Sequence, residues 1–136
     1  MNEEKLIEKV ITALSGIEDT QTQSVMDFTE KRVDNMIIVG ISETRQLNEG
    51  CGVPDYEHSM DILIDCGIPE DDDGSGFYRI ISNVKERLLP YELNQSALAG
   101  LFGEIPVVYF QFVNQTFGVS ERSNTTTLRY RIITSY

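Results

Sequence analysis

The side chains able to do chemistry are few, and most lie between residues 57 and 89. His58 is the single histidine, and Cys51 and Cys66 are the two cysteines. His58 and Cys66 alternate onto one face of a strand-like run, Glu57 to Cys66. Eight residues at ~3.3 Å each set them roughly 26 Å apart, so one ion cannot hold both. The cysteines form no CxxC and no zinc-type spacing. Cys66, on an apolar strand face, reads as a buried thiol rather than half of a disulfide. A lone histidine removes most triad and zinc-hydrolase arrangements, and His58 near a strand end reads as structural or solvated. GxSxG, HExxH and GxGxxG are absent.

The carboxylates are tested next. Asp61 and Asp65 share a strand face but stand about 13 Å apart, too far for a glycosidase pair. The turn Glu70-Asp71-Asp72-Asp73-Gly74-Ser75-Gly76 supplies Asp71, Asp73, Ser75 and Gly76 at positions one, three, five and six of a calcium loop. Position twelve is Ser82, where a calcium loop needs a bidentate Glu. The same carboxylates repel a phosphate from Gly74-Ser75-Gly76, and no P-loop lysine follows. The turn therefore reads as an acidic helix start. No catalytic residue, metal site or cofactor emerges, and the chain reads as a non-enzyme.

The elements that carry these residues follow from periodicity. On the run Glu57 to Cys66, His58, Met60, Ile62, Ile64 and Cys66 point to a core, while Glu57, Ser59, Asp61, Leu63 and Asp65 point away. After the acidic turn, Phe77, Ile80, Ile81, Val84 and Leu88 recur at helical spacing until Pro90, which predicts a helix over 77–89. Asn2 caps an opening helix over 3–16, with a Leu6, Val10 and Leu14 stripe that ends at Gly16. Residues 18–31 are polar and Thr/Gln-rich, a long connection holding one short strand. Asn35 to Ile41, apolar on both faces, predicts a central strand. Residues 43–56, with Asn48, Gly50, Gly52 and Pro54, are too long for a tight turn and read as a projecting hairpin arm or loop. Asn94 caps a short helical turn ended at Gly103; Ile105 to Val113, apolar on both faces, and Thr125 to Tyr136 are strands, Asn114 to Ser123 connects or continues the first, and Thr116 to Thr126 is read as a contact loop.

The order helix, strand, strand, helix, strand, strand predicts one α+β domain over 1–136, two helices packed on one face of a mainly antiparallel four- to five-stranded sheet. At 136 residues such a domain needs no disulfide or metal staple. With 40% hydrophobic and 24% charged residues the usage is globular, and no run of eighteen apolar residues exists. The opening Met1-Asn2-Glu3-Glu4-Lys5 is acidic where a signal peptide is basic, so a soluble cytoplasmic chain is expected. A net charge of -11 argues against binding to nucleic-acid phosphates.

Taken together, the layout resembles the tail terminator (tail completion, or head-tail joining) proteins of long-tailed bacteriophages. The resemblance rests on the opening helix Glu3 to Gly16, the strand Met36-Ile37-Ile38-Val39-Gly40-Ile41, the long loop and the strand ending Asp61-Ile62-Leu63-Ile64-Asp65. Helix Phe77 to Leu89 and the closing strand Thr127 to Tyr136 complete it. It covers nearly the whole chain and carries no motif residue across. It implies a ring-forming, usually hexameric virion protein that caps the tail tube, stops its polymerisation and meets the head connector. Such a protein is assembled in the host cytoplasm and sits at the tail neck, where an acidic wall lets DNA pass without sticking. Loop length and charge then name the candidates: Arg45, Gln46, Leu47, Asn48, Val53, Tyr56, Phe117, Val119 and Arg122 for subunit or tube contacts. Glu70, Asp71, Asp72 and Asp73 are the candidates for an acidic channel face. The alternatives are a head-completion or neck connector protein, and a stand-alone α+β domain that binds a small ligand or calcium.

Overall fold

A computed structural model describes residues 3–25, 35–47, 54–67, 75–119 and 123–135. Its elements are helix α1 (Glu3–Leu14), strands β1 (Gln21–Ser24), β2 (Asn35–Leu47) and β3 (Asp55–Gly67), helices α2 (Ser75–Leu93) and α3 (Gln95–Phe102), and strands β4 (Val107–Val119) and β5 (Ser123–Ser135). The five strands form one sheet in the order β1-β2-β3-β5-β4. β1 runs parallel to β2, and every other pair is antiparallel. The protein is thus α+β with a mainly antiparallel sheet. Among the described residues it has three helices rather than two, because the short turn expected after Asn94 is a full helix.

Alternation decides which sheet face is covered. His58, Met60, Ile62, Ile64 and Cys66 of β3 are all buried, as are Leu128, Tyr130 and Ile132 of β5. All but His58 join one cluster with Ile37, Val39 and Phe110, and each helix packs onto it: Leu6, Val10 and Leu14 from α1, Ile80, Val84 and Leu88 from α2, Leu98 and Phe102 from α3. Burying one such aliphatic side chain contributes about 1.5–3 kcal/mol, so this layer holds the helices to the sheet. The opposite face is ion-paired instead. Register sets Arg45 and Arg131 around Glu57, and Arg129 opposite Asp61.

Two sequence expectations change, and the described ends of a third stretch are filled in. Pro90 does not stop α2, which continues to Leu93. Pro90 is exposed, so the carbonyl four residues before it can be hydrated, while Tyr91 continues the packed side of the helix. The described parts of the expected Thr116 to Thr126 loop are strand: Thr116 to Val119 belong to β4 and pair with Asn124 to Thr127 of β5. Glu43 to Leu47 and Asp55 to Tyr56, at the ends of the expected arm, are ladder residues, with Glu43 opposite Ser59 and Leu47 opposite Asp55. Asn2, Cys51, residues 48–53 and the turn 68–74 lie outside the described residues.

Helix ends are built as their chemistry requires. Gly16, with φ +85, follows α1, and Arg87 of α2 donates from Nη1 to the carbonyls of Ala13 (3.0 Å) and Ser15 (3.1 Å). A guanidinium thus meets the negative end of α1. Asn94 accepts from Ser96 N at 3.0 Å and caps α3, and the N–H of Gly103 closes the other end on Ala99 O.

Candidate functional site

No catalytic constellation forms among the described residues. Among the described residues no three His, Cys, Asp or Glu side chains gather to hold a metal ion. His58 is buried between two threonines, its Nδ1 2.9 Å from Thr44 Oγ1 and its Nε2 3.0 Å from Thr134 Oγ1. One ring nitrogen donates and the other accepts, and a hydroxyl can answer either. Burial holds the imidazole below its ordinary pKa, opposed by the nearby Glu3 charge. His58 is therefore a neutral rung joining β2, β3 and β5.

The surface features are two stretches of open strand edge. The first is the outer side of β4, which no described strand pairs. It spans 13 residues without a charged side chain. Register shifts leave Val108 and Val113 as the extra residues of two bulges. Tyr109, Phe112, Val113 and Phe117 are exposed, Phe117 at 59% and Val113 at 51%. An aromatic chain links this edge to the core: Phe110 stacks on Tyr130 at 5.0 Å, and Phe112 meets Tyr130 edge-on at 5.6 Å. Lys85 of α2 lies 5.3 Å over the Phe112 ring and donates to Gln115 Oε1 at 2.7 Å. One edge N–H, that of Phe112, is taken by Glu92 Oε1 at 2.8 Å.

The second stretch lies on β2. β1 pairs only with Met36 to Val39, and among the described residues no strand covers the outer side of β2 from Gly40 to Leu47. The end of β1 turns across Gly40: a Cβ there would sit 2.9 Å from Val25 Cγ1, so only glycine admits that approach. Between this edge and the first turns of α1 lies a groove of about 600 Å³. Ile7, Ile11, Val25 and Ile41 line it, and Glu3, Glu4, Glu8 and Glu43 surround them; Thr44, bonded to His58, is in its wall.

The residues named from sequence fall into two separate groups. Arg45, Gln46, Leu47 and Tyr56 lie at the end of the sheet where β4 begins, and Phe117 and Val119 lie where it ends, about 40 Å away at the rise of a strand. Arg45 is already engaged, its Nη2 2.9 Å from Glu57 Oε2. Phe117 is the most exposed aromatic of β4. Asn48, Val53, Arg122 and Glu70, Asp71, Asp72 and Asp73 lie outside the described residues. The sequence reading missed Tyr109, Phe112 and Val113, because Ile105 to Val113 carries apolar residues on both faces and nothing in it marks which side is open. It also missed the groove, whose walls come from three separate segments.

No helix among the described residues is long and apolar enough to cross a membrane. No protein-family model matches the chain, and no curated protein matches its sequence.

Proposed function

We propose that the chain is a non-enzymatic virion assembly protein of the tail-terminator kind. In this reading copies associate through the β4 edge into a ring, a hexamer on the family pattern, that caps the tail tube and meets the head connector. The observation that carries the reading is the β4 edge itself. A long open edge without charge is a template for pairing that monomeric proteins blunt with lysines, prolines or shortening. Here Glu92 takes one edge N–H, Lys85 lies over Phe112, and large apolar side chains flank the edge. A closed ring needs contacts between two unlike surfaces of each copy, so β4 must meet a different part of its neighbour. The net charge of -11 supports a wall past which DNA slides unbound.

Light scattering and electron micrographs of the protein, alone and mixed with tail tubes, test this. Rings with a central hole, or tubes capped at one end, are expected. A strict monomer at high concentration that leaves tubes uncapped would overturn the proposal. Binding to head connectors without binding to tubes would move the chain to the neck-connector class.

A further inference from the structure

We infer that the groove beside β2 is a docking slot for an extended, basic and aliphatic segment of a partner protein, which adds to the sheet where β1 stops. This inference is independent of ring formation and holds for a monomer.

Three observations converge on it. Among the described residues no strand covers the outer side of β2 beyond Val39, so an added segment gains main-chain hydrogen bonds there, the source of affinity in strand addition. Alternate side chains of such a segment point toward α1, where Ile7, Ile11 and Ile41 offer an aliphatic surface. The charges select the sign of the partner. Among the described residues Glu3, Glu4, Glu8 and Glu43 line the groove, no Lys or Arg lines it, and none of the four joins an ion pair. Glu3 and Glu4 have a local reason to be there, the positive end of α1. Glu43 also lies within electrostatic reach of Arg129, and it and Glu8 come from different elements to border one groove.

A second copy of the chain is the wrong occupant. The other open edge, β4, brings no charge to answer four carboxylates, and each copy carries a net charge of -11 into the approach. The occupant is therefore a basic segment from a different protein, with aliphatic residues alternating with lysine or arginine.

The probe is a fluorescein-labelled peptide alternating lysine or arginine with valine or isoleucine. Its controls are an acidic peptide of the same pattern and a version N-methylated on alternate residues. Fluorescence anisotropy is read at roughly 20 mM and 300 mM salt, where screening differs several-fold. The basic peptide is expected to bind and to weaken with salt. The double variant Glu8→Lys/Glu43→Lys should bind it about tenfold more weakly. Both positions are exposed, so the variant keeps the wild-type melting temperature to within a few degrees. N-methylation should abolish binding, and amide exchange should slow within Ile41 to Leu47 when the basic peptide is bound. Equal binding of the basic and acidic peptides, equal binding by the double variant, or no binding at about 1 mM would overturn the inference. So would a change in the protein's own oligomeric state caused by Glu8→Lys/Glu43→Lys, which would make the groove a self-contact.

Discussion

Along β4 the large exposed side chains are aromatic or aliphatic, Asn114 and Thr116 are the exposed polar ones and none is charged, whereas along β2 beyond Val39 carboxylates border an aliphatic groove. The backbone offers the same unpaired donors and acceptors in both places. What separates the two edges is the side chains around them, and these decide which strand can approach. An uncharged edge accepts another uncharged strand, including one from its own kind. An acidic edge rejects copies of an acidic protein and selects a basic partner.

The largest effect expected is on association. Val113→Asp with Phe117→Asp places two charges on the β4 edge at positions that are 51% and 59% exposed, so the fold should stand. Self-association, measured by light scattering, should weaken by about 3 kcal/mol or more. If the same variant still assembles, β4 is not the contact and the contrast between the edges loses its meaning. Next in size is His58→Leu, which leaves the hydroxyls of Thr44 and Thr134 without their partner and should cost about 2 kcal/mol in a denaturant melt.

The same histidine makes a pH prediction. Its folded pKa is lowered from 6.5 by burial, so between that lowered value and 6.5 the unfolded chain binds more protons than the folded one. Stability should therefore fall as pH drops through this window, and His58→Leu should remove that phase. Glu57 acts with the same sign at lower pH. Its hydrogen bond with Arg131, reinforced by Arg45, holds its carboxyl below the usual value of 4.5. Acidification below that value should release a second, smaller loss that Glu57→Gln abolishes.

Smaller still is Gly40→Ala, which forces Val25 away from the backbone of β2. A cost of about 1 kcal/mol is expected, with peptide binding in the groove altered and association through β4 unchanged. The smallest effect is Lys85→Met, which removes the cation over Phe112 and should cost about 0.5–1 kcal/mol without exposing the edge further.

The fold was legible where periodicity is uninterrupted. β3 and the second half of β5 alternate without a break, and every position expected in the core is buried there. Gly16, Asn94 and Gly103 marked helix boundaries because capping chemistry is local. β2 was read too short because its register shifts between Ile41 and Glu43, which interrupts the alternation halfway along. β4 concealed its open side for a related reason: the bulges at Val108 and Val113 rotate apolar side chains out to solvent, so its composition resembles a buried strand. Helix α2 outran its proline because a solvent-facing proline loses little, a fact that depends on orientation rather than residue type. The candidate sites were harder still. Which strands have an open side depends on β5 entering between β3 and β4, a long-range choice that no short window of sequence contains.

That same insertion has a consequence for how the molecule is made. The contacts joining β3 to β5 close long stretches of chain: 68 residues separate Asp61 from Arg129, and 76 separate His58 from Thr134. Closing loops of this length is entropically costly and slow. Until Ser123 to Ser135 dock, β3 and β4 each lack a neighbour, and a folding intermediate carries additional uncovered strands. Translation that pauses before residue 123 therefore leaves the nascent chain at its most aggregation-prone, and a fragment ending there should require chaperone capture to stay dispersed.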